Sequence, residues 1–318
     1  MTRALHWLLC ALLAIATSLA VAAYPERPVH ILVGYSAGTT SDVFARIIAQ
    51  KLSERWGQPV IVENRDGAAG SIAADLVAKS APDGYTLMLT SNAFTLGKTL
   101  RASLPYDPFS DFYAITQIAK TPNIFLVGKE LGVKNLKEFI ALAKVKHLQY
   151  ASSGKGTPSQ ITVELFKSMA GIELEEIPYK SSSQALTDTI SGQLALNAPG
   201  IAQGLPQVYG GKVVTLGMTG SKRSPGAPDV PTLAEEGLPG YEAYGWHGMF
   251  APAKLPRETA AFLTREIVEV ISTPDMRQKF AAQGAEVVGG SSAEFGEFLR
   301  TDYAKWEALF RKLGVKPE

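Results

Sequence analysis

The sequence predicts an α/β protein of two lobes whose site lies where strands run out into helix N-termini. Three observations predict it. Short apolar runs alternate with amphipathic stretches along the chain, the pattern of a layered α/β fold with mostly parallel sheets. About 295 residues remain once an N-terminal leader is set aside, more than one hydrophobic core usually holds. A strand, a loop of small residues and a helix recur in that order in both halves.

The leader comes first. Arg3 opens it, residues 7–16 are almost wholly apolar, and Leu19-Ala20-Val21-Ala22-Ala23 supplies small residues. A charged start, an apolar core and an A-x-A-like end are the parts of a cleaved secretory signal, here residues 1–23. The apolar run is short of the ~20 residues that a membrane-spanning helix needs. Cys10, the only cysteine, precedes most of that apolar core, where an acylated lipoprotein cysteine would not stand. The processed chain therefore has no thiol, and neither disulfides nor Cys-ligated metals are expected. Arg3 leaves with the leader, so 30 cationic side chains face 30 acidic ones. A formally neutral chain has no basic footprint for nucleic acid.

The elements follow in order. In the first half, a strand over 29–33 leads to a helix over 42–56, with Val43, Phe44, Ile47, Ile48 and Leu52 on one face. A strand over 60–63, a helix over 71–80 and a strand over 86–90 come next. The second half opens with an extended segment over 124–127 and a helix over 136–146. Strands over 148–151 and 174–177 then alternate with helices over 159–169 and 183–191. Strands over 194–197 and 213–218 precede C-terminal helices over 257–272, 274–283 and 293–313.

Each strand–loop–helix unit aims free backbone N–H groups at the strand's C-terminal edge, where open α/β sheets bind ligands. Four loops qualify. The first contains Gly34-Tyr35-Ser36-Ala37-Gly38, which matches the G-x-S-x-G elbow of serine hydrolases. Its place on the first strand argues against catalysis, because the elbow normally follows several strands. Only His247 is a plausible base, since His30 lies within a strand and His147 beside a lysine. Asp229 would complete the order Ser, Asp, His. A secreted esterase using Ser36 is the alternative reading.

The second loop is Asn64-Arg65-Asp66-Gly67-Ala68-Ala69-Gly70-Ser71, small enough for backbone to approach a ligand. The third, Ser152-Ser153-Gly154-Lys155-Gly156-Thr157-Pro158-Ser159, has Gly-Lys without the following Ser or Thr of a P-loop. Hydroxyls and free N–H groups at a helix start suit a carboxylate. Tyr179-Lys180-Ser181-Ser182-Ser183 is the fourth, in which Ser183 is also a candidate helix cap. Three scattered histidines give no metal-ligand pair at helical spacing. Asp107 and Asp111 lack a calcium loop's spacing and glycine and read as turn and capping residues. Trp246 reads as core or cleft wall.

At this point the chain resembles a known family, the periplasmic substrate-binding "Bug" receptors of tripartite tricarboxylate transporters. The resemblance covers residues 24–318. It rests on Tyr24-Pro25-Glu26-Arg27-Pro28, Val62-Glu63-Asn64-Arg65, Ala81-Pro82-Asp83-Gly84-Tyr85-Thr86-Leu87, Leu104-Pro105-Tyr106-Asp107-Pro108 and Ile177-Pro178-Tyr179-Lys180. Ser221-Lys222-Arg223-Ser224-Pro225, Asp229-Val230-Pro231-Thr232 and Gly237-Leu238-Pro239-Gly240-Tyr241 continue it in the same order.

The resemblance implies a type II periplasmic-binding-protein fold, a Venus flytrap of two α/β domains with the ligand between them. It divides the chain into residues 24–118 plus 247–318 and residues 119–246, with the hinge near 115–118 and 245–250. It implies a periplasmic, non-enzymatic, monomeric receptor without cofactor or metal. The ligand would be a small mono-, di- or tricarboxylate, passed to membrane transporter subunits. One carboxylate would be held through backbone, hydroxyls and bridging waters by Tyr35, Ser36, Ala37, Gly38, Thr39, Thr40 and Asp42, and by Asp66, Gly67, Ala68, Ala69 and Gly70. Ser91, after the third strand, completes the first domain's share. The second domain would contribute Ser153, Gly154, Thr157, Ser159, Lys180, Ser181 and Asn197.

Two departures from the family pattern stand out. The first loop usually reads close to P-P-G-G-x-T-D, but here reads Ser36-Ala37-Gly38-Thr39-Thr40-Ser41-Asp42, with more hydroxyls and fewer glycines. The strand near Leu194 usually ends in an Asp-Asn-like pair, but here reads Leu196-Asn197-Ala198-Pro199-Gly200. Losing that acid, a partner for a ligand amine, favours a ligand without a cationic group.

Overall fold

A computed structural model describes residues 24–179, 182–224 and 226–317. The expected leader with Cys10, and the expected site residues Lys180 and Ser181, lie outside the described residues.

The chain runs β1 (Val29–Val33), α1 (Thr40–Trp56), β2 (Val60–Asn64), α2 (Ser71–Ala78), β3 (Thr86–Ser91), α3 (Ala93–Leu100) and β4 (Phe112–Thr121). It continues through β5 (Ile124–Gly128), α4 (Leu136–Ala143), β6 (Gln149–Ser152), α5 (Pro158–Ala170), β7 (Glu175–Pro178), α6 (Ser182–Ile190), β8 (Leu196–Asn197), α7 (Ile201–Tyr209) and β9 (Val213–Met218). It returns through β10 (Gly245–Pro252), α8 (Arg257–Ser272), α9 (Pro274–Ala282), β11 (Glu286–Gly289) and α10 (Ser292–Lys312).

Two sheets result. One has the order β11-β4-β10-β3-β1-β2 and the other β7-β6-β8-β5-β9. The chain passes between them at 121–124 and again at 218–245. The sheets are mixed, which corrects the expectation of mostly parallel pairing. β1 pairs in parallel with β2 and β3, and β6 with β7 and β8. The strands next to each crossing pair antiparallel: β10 with β3 and β4, β5 with β8 and β9. The physical reason is connectivity, since a chain that leaves one sheet and re-enters it from the far side arrives reversed.

Each sheet is covered by helices and holds its own apolar core. Ile31, Val33, Phe44, Ile48 and Leu89 belong to the first; Phe125, Phe139, Tyr150 and Phe166 belong to the second. Two helices serve both. From α10, Phe295 and Leu299 pack on the first sheet's side with Trp246 and Phe250, while Trp306 and Phe310 enter the second core. From α3, Phe94 faces the first side, and Leu96 and Leu100 the second. Trp246 is therefore core, only 1% exposed.

A buried polar clasp fixes the long strap. The Asp302 carboxylate on α10 accepts from the indole Nε1 of Trp246 at 2.8 Å and of Trp306 at 2.9 Å. Burial pushes its pKa up, against the pull of the two indoles. Asp302→Ala leaves both buried indoles without an acceptor. At ~1–3 kcal/mol for each stranded donor, it should lower unfolding free energy by about 2 kcal/mol or more in guanidinium titrations.

Candidate functional site

The two sheets face each other across a cavity of about 440 Å³. The first sheet contributes the loop after β1, with Tyr35, Gly38, Thr39, Thr40 and Ser41, together with Ser91, His247 and Gln283. The second contributes Ser153, Thr157 and Ser159 after β6, Ser182 and Ser183 after β7, and Ala198, Pro199, Gly200, Ala202 and Gln203 after β8. Thr121 and Asn123 line it at the crossing.

Among the described residues three helices have their N-caps in the cavity lining, and none of the three is capped by a side chain. Their N-caps are Thr39 for α1, Thr157 for α5 and Gly200 for α7. Both threonines have the right residue type for a cap. Their hydroxyls turn back instead, Thr39 Oγ1 donating to Ser36 O at 2.9 Å and Thr157 Oγ1 to Gly154 O at 2.6 Å. Elsewhere α4, α9 and α10 are capped by Asn135, Thr273 and Ser291, whereas α2, α3 and α8 also begin without a side-chain cap. The uncapped N–H groups and the positive ends of three helix dipoles are thus left for whatever occupies the cavity.

Among the described residues, no lining side chain carries a net charge. Asp42 is close but turned inward: it is buried, and its carboxylate accepts from Gly38 N at 2.9 Å, Arg46 Nε at 3.0 Å and Asn64 Nδ2 at 2.9 Å. Burial alone would raise its pKa, but these hydrogen bonds outweigh it and hold the carboxyl below its ordinary value. His247 is buried, with Nδ1 3.1 Å from Ser41 Oγ. Burial pushes its pKa down to about 3, so the ring is neutral at physiological pH.

The remaining expected residues are placed around the cavity and not in its lining. Ser36 is exposed and donates to Asp66. Ala37 and Gly154 stand on the loops' outer turns. Asp66, Gly67, Ala68, Ala69 and Gly70 form a buttress behind the first loop. Gly67, Ala68, Ala69 and Gly70 all have positive φ, and a Cβ on Gly34 would sit 2.5 Å from Gly70 Cα. Gly34 is therefore required by the contact between two backbones and not by a nucleophile elbow. Asn197 is buried beside Ala198, its Nδ2 without a partner.

The hydrolase constellation does not assemble. Ser36 meets Asp66, His247 meets Ser41, and Asp229 accepts from Tyr209 at 2.8 Å.

Sequence reasoning missed Thr121, Asn123, Gly200, Ala202, Gln203, His247 and Gln283 as lining residues. Gly200 was recoverable, since it opens a helix after a strand as the other loops do. Pro206 within α7 hid that helix. Gln203 and Gln283 carry no sequence signal.

Comparisons with known proteins agree with this geometry. The family model described as "Tripartite tricarboxylate transporter family receptor" matches residues 44–315. BugT of Bordetella pertussis is 32% identical over 95% of this chain and 94% of its own. The solved structure of R. palustris Rpa4515 with adipate is 33% identical, covers 93% of this chain and 100% of that one, and superposes with a TM-score of 0.88. The solved periplasmic binding protein BugD is 30% identical over 93% of this chain and 100% of its own, with a TM-score of 0.85.

Gly34→Ala forces the two loop backbones apart and should cost about 1–3 kcal/mol, as overpacking does, read by urea denaturation. His247 gives a pH effect with a definite sign. The unfolded chain binds the histidine proton near 6.5, the folded chain only near 3. Between those values the unfolded state holds the extra proton, so stability falls as pH falls. In His247→Gln this part of the slope, at most ~1.4 kcal/mol per pH unit, should disappear from paired denaturation curves between pH 6.5 and 4.

Proposed function

This chain belongs to the tripartite tricarboxylate transporter receptor family, and from that premise we propose that it captures a small carboxylate in the cavity between its sheets and presents it to membrane transporter subunits. One observation carries the proposal: three uncapped helix N-termini converge on a cavity whose described lining residues carry no formal charge. Helix N-termini bind anions through backbone N–H groups and the dipole. A carboxylate is the simplest anion that such a hydroxyl-rich, neutral site would suit. Rpa4515, a similar protein solved with adipate, supports the ligand class.

The proposed lobes are residues 24–118 with 247–318, and residues 119–246. The sheet topology supports this division, because the chain changes sheet at 121–124 and 218–245. The last turns of α10 depart from it by packing into the second core. We place the protein in the periplasm as a monomer, after removal of residues 1–23. The resemblance to BugD, a periplasmic binding protein, supports that location.

The test is thermal denaturation against a panel of mono-, di- and tricarboxylates that includes adipate. A true ligand stabilises by mass action, by about 2.7 kcal/mol at a hundredfold excess over its Kd. If no member of the panel shifts the transition, the receptor reading falls.

A further inference from the structure

Two of the three side-chain amides that line the cavity make no hydrogen bond to another described residue. Asn123, the third amide of the lining, is committed: its Nδ2 donates to Ala198 O at 2.6 Å and its backbone N to Thr219 Oγ1 at 2.8 Å. Gln203 and Gln283 are only half-buried, and no side-chain hydrogen bond joins either to another described residue. They come from opposite lobes. Gln203 stands in the first turn of α7, and Gln283 ends α9.

The lobes touch beside them. Gly284, next to Gln283, has φ +70°, and a Cβ there would lie 2.6 Å from Ile201 Cβ. Ile201 opens α7 two residues before Gln203 and is buried. Any residue larger than glycine at 284 would prop the lobes apart at this point. Beside this contact both amides line one cavity.

We infer that Gln203 and Gln283 form a two-sided amide clasp that reads a second oxygen-bearing group on the ligand, and that this site selects α,ω-dicarboxylates lacking an ammonium group. This rests on the receptor reading above. The chemistry fits in both directions. Each amide offers N–H donors to a carboxylate, and a hydrogen bond to a charged group is stronger than one between neutral groups. Among the described residues no carboxylate lines the cavity to pair with a ligand ammonium, so an amino acid would bury an unpaired cation.

The experiment is calorimetry on the whole processed chain with straight-chain dicarboxylates of four to eight carbons, each beside its monocarboxylate of equal length and its 2-amino derivative. Gln203→Leu, Gln283→Leu and the double variant are compared with the unsubstituted chain, and circular dichroism checks folding. Each single variant should weaken dicarboxylate binding by about tenfold or more, the scale of a charge-assisted hydrogen bond, and leave monocarboxylate binding unchanged. The two losses should be non-additive. Gln283→Glu, which keeps size and polarity, should abolish the dicarboxylate preference by charge repulsion. Equal losses for both ligand series, no loss for either, or preferred binding of the amino derivatives would overturn the clasp while leaving the receptor standing. If the unsubstituted chain binds none of these acids, the receptor reading fails and the clasp with it.

Discussion

The structure depends on leaving helix N-termini unsatisfied. An isolated helix start exposes its first N–H groups, and most helices answer with a side-chain cap. Here the caps are withheld at α1, α5 and α7, all of which open onto one cavity. The threonines at two of these starts are turned into their own loops, where they brace the turn. Capping energy is thereby forgone at the site, and the unsaturated donors become its recognition chemistry. With no formal charge among the described lining residues, these donors and the dipoles behind them supply positive potential toward a ligand.

That arrangement demands stiff loops, and the buried groups behind them supply stiffness. Asp42 ties the first loop to its helix through Gly38 and to the second strand through Asn64, with Arg46 balancing its charge. The buttress loop 66–70 then presses its backbone against Gly34. On the other lobe, Glu176 accepts from Ser152 at 2.5 Å, and Ser152 in turn accepts from Gly154 N at 3.0 Å. Gln160 closes the same loop by accepting from Gly156 N at 2.8 Å. In the first lobe a carboxylate takes a loop N–H directly, whereas in the second the Ser152 hydroxyl and the Gln160 amide take them, with Glu176 behind Ser152. Ser153, Thr157 and Ser159 of this loop line the cavity, with the Thr157 and Ser159 hydroxyls bonded within the loop.

Much of this was legible in the sequence, and the exceptions have physical reasons. Strands Val29–Val33 and Val213–Met218 and helix Arg257–Ser272 emerged to the residue, because their patterns are strong and their ends are marked. β4 and β10 did not emerge from periodicity. β10 is buried along its whole length, so no alternation betrays it. α7 was hidden by Gly204 and Pro206, residues that normally break helices. In the site, the loops after β1 and β6 were visible as glycine and hydroxyl clusters between a strand and a helix. Ser36 and Asp42 belonged to that visible loop, yet their side chains serve its outer and inner faces and not the cavity. His247, Gln203 and Gln283 reach the cavity through long-range packing, which leaves no local trace in sequence.

The neutrality of the lining has a consequence for how the site responds to its surroundings. The one titratable base among its described residues, His247, is kept unprotonated by burial far below its ordinary range. Backbone N–H groups and hydroxyls do not titrate near neutral pH. Above the range in which free carboxylic acids ionise, at about pH 4–5, neither partner changes charge, so capture is insensitive to acidity. Below it the ligand becomes neutral and loses its interaction with the helix dipoles, while the protein's donors stay as they were. The pH dependence of such a receptor therefore belongs to the ligand and reports the ligand's own pKa. A site built instead on lysine or histidine would carry its own titration into the binding curve.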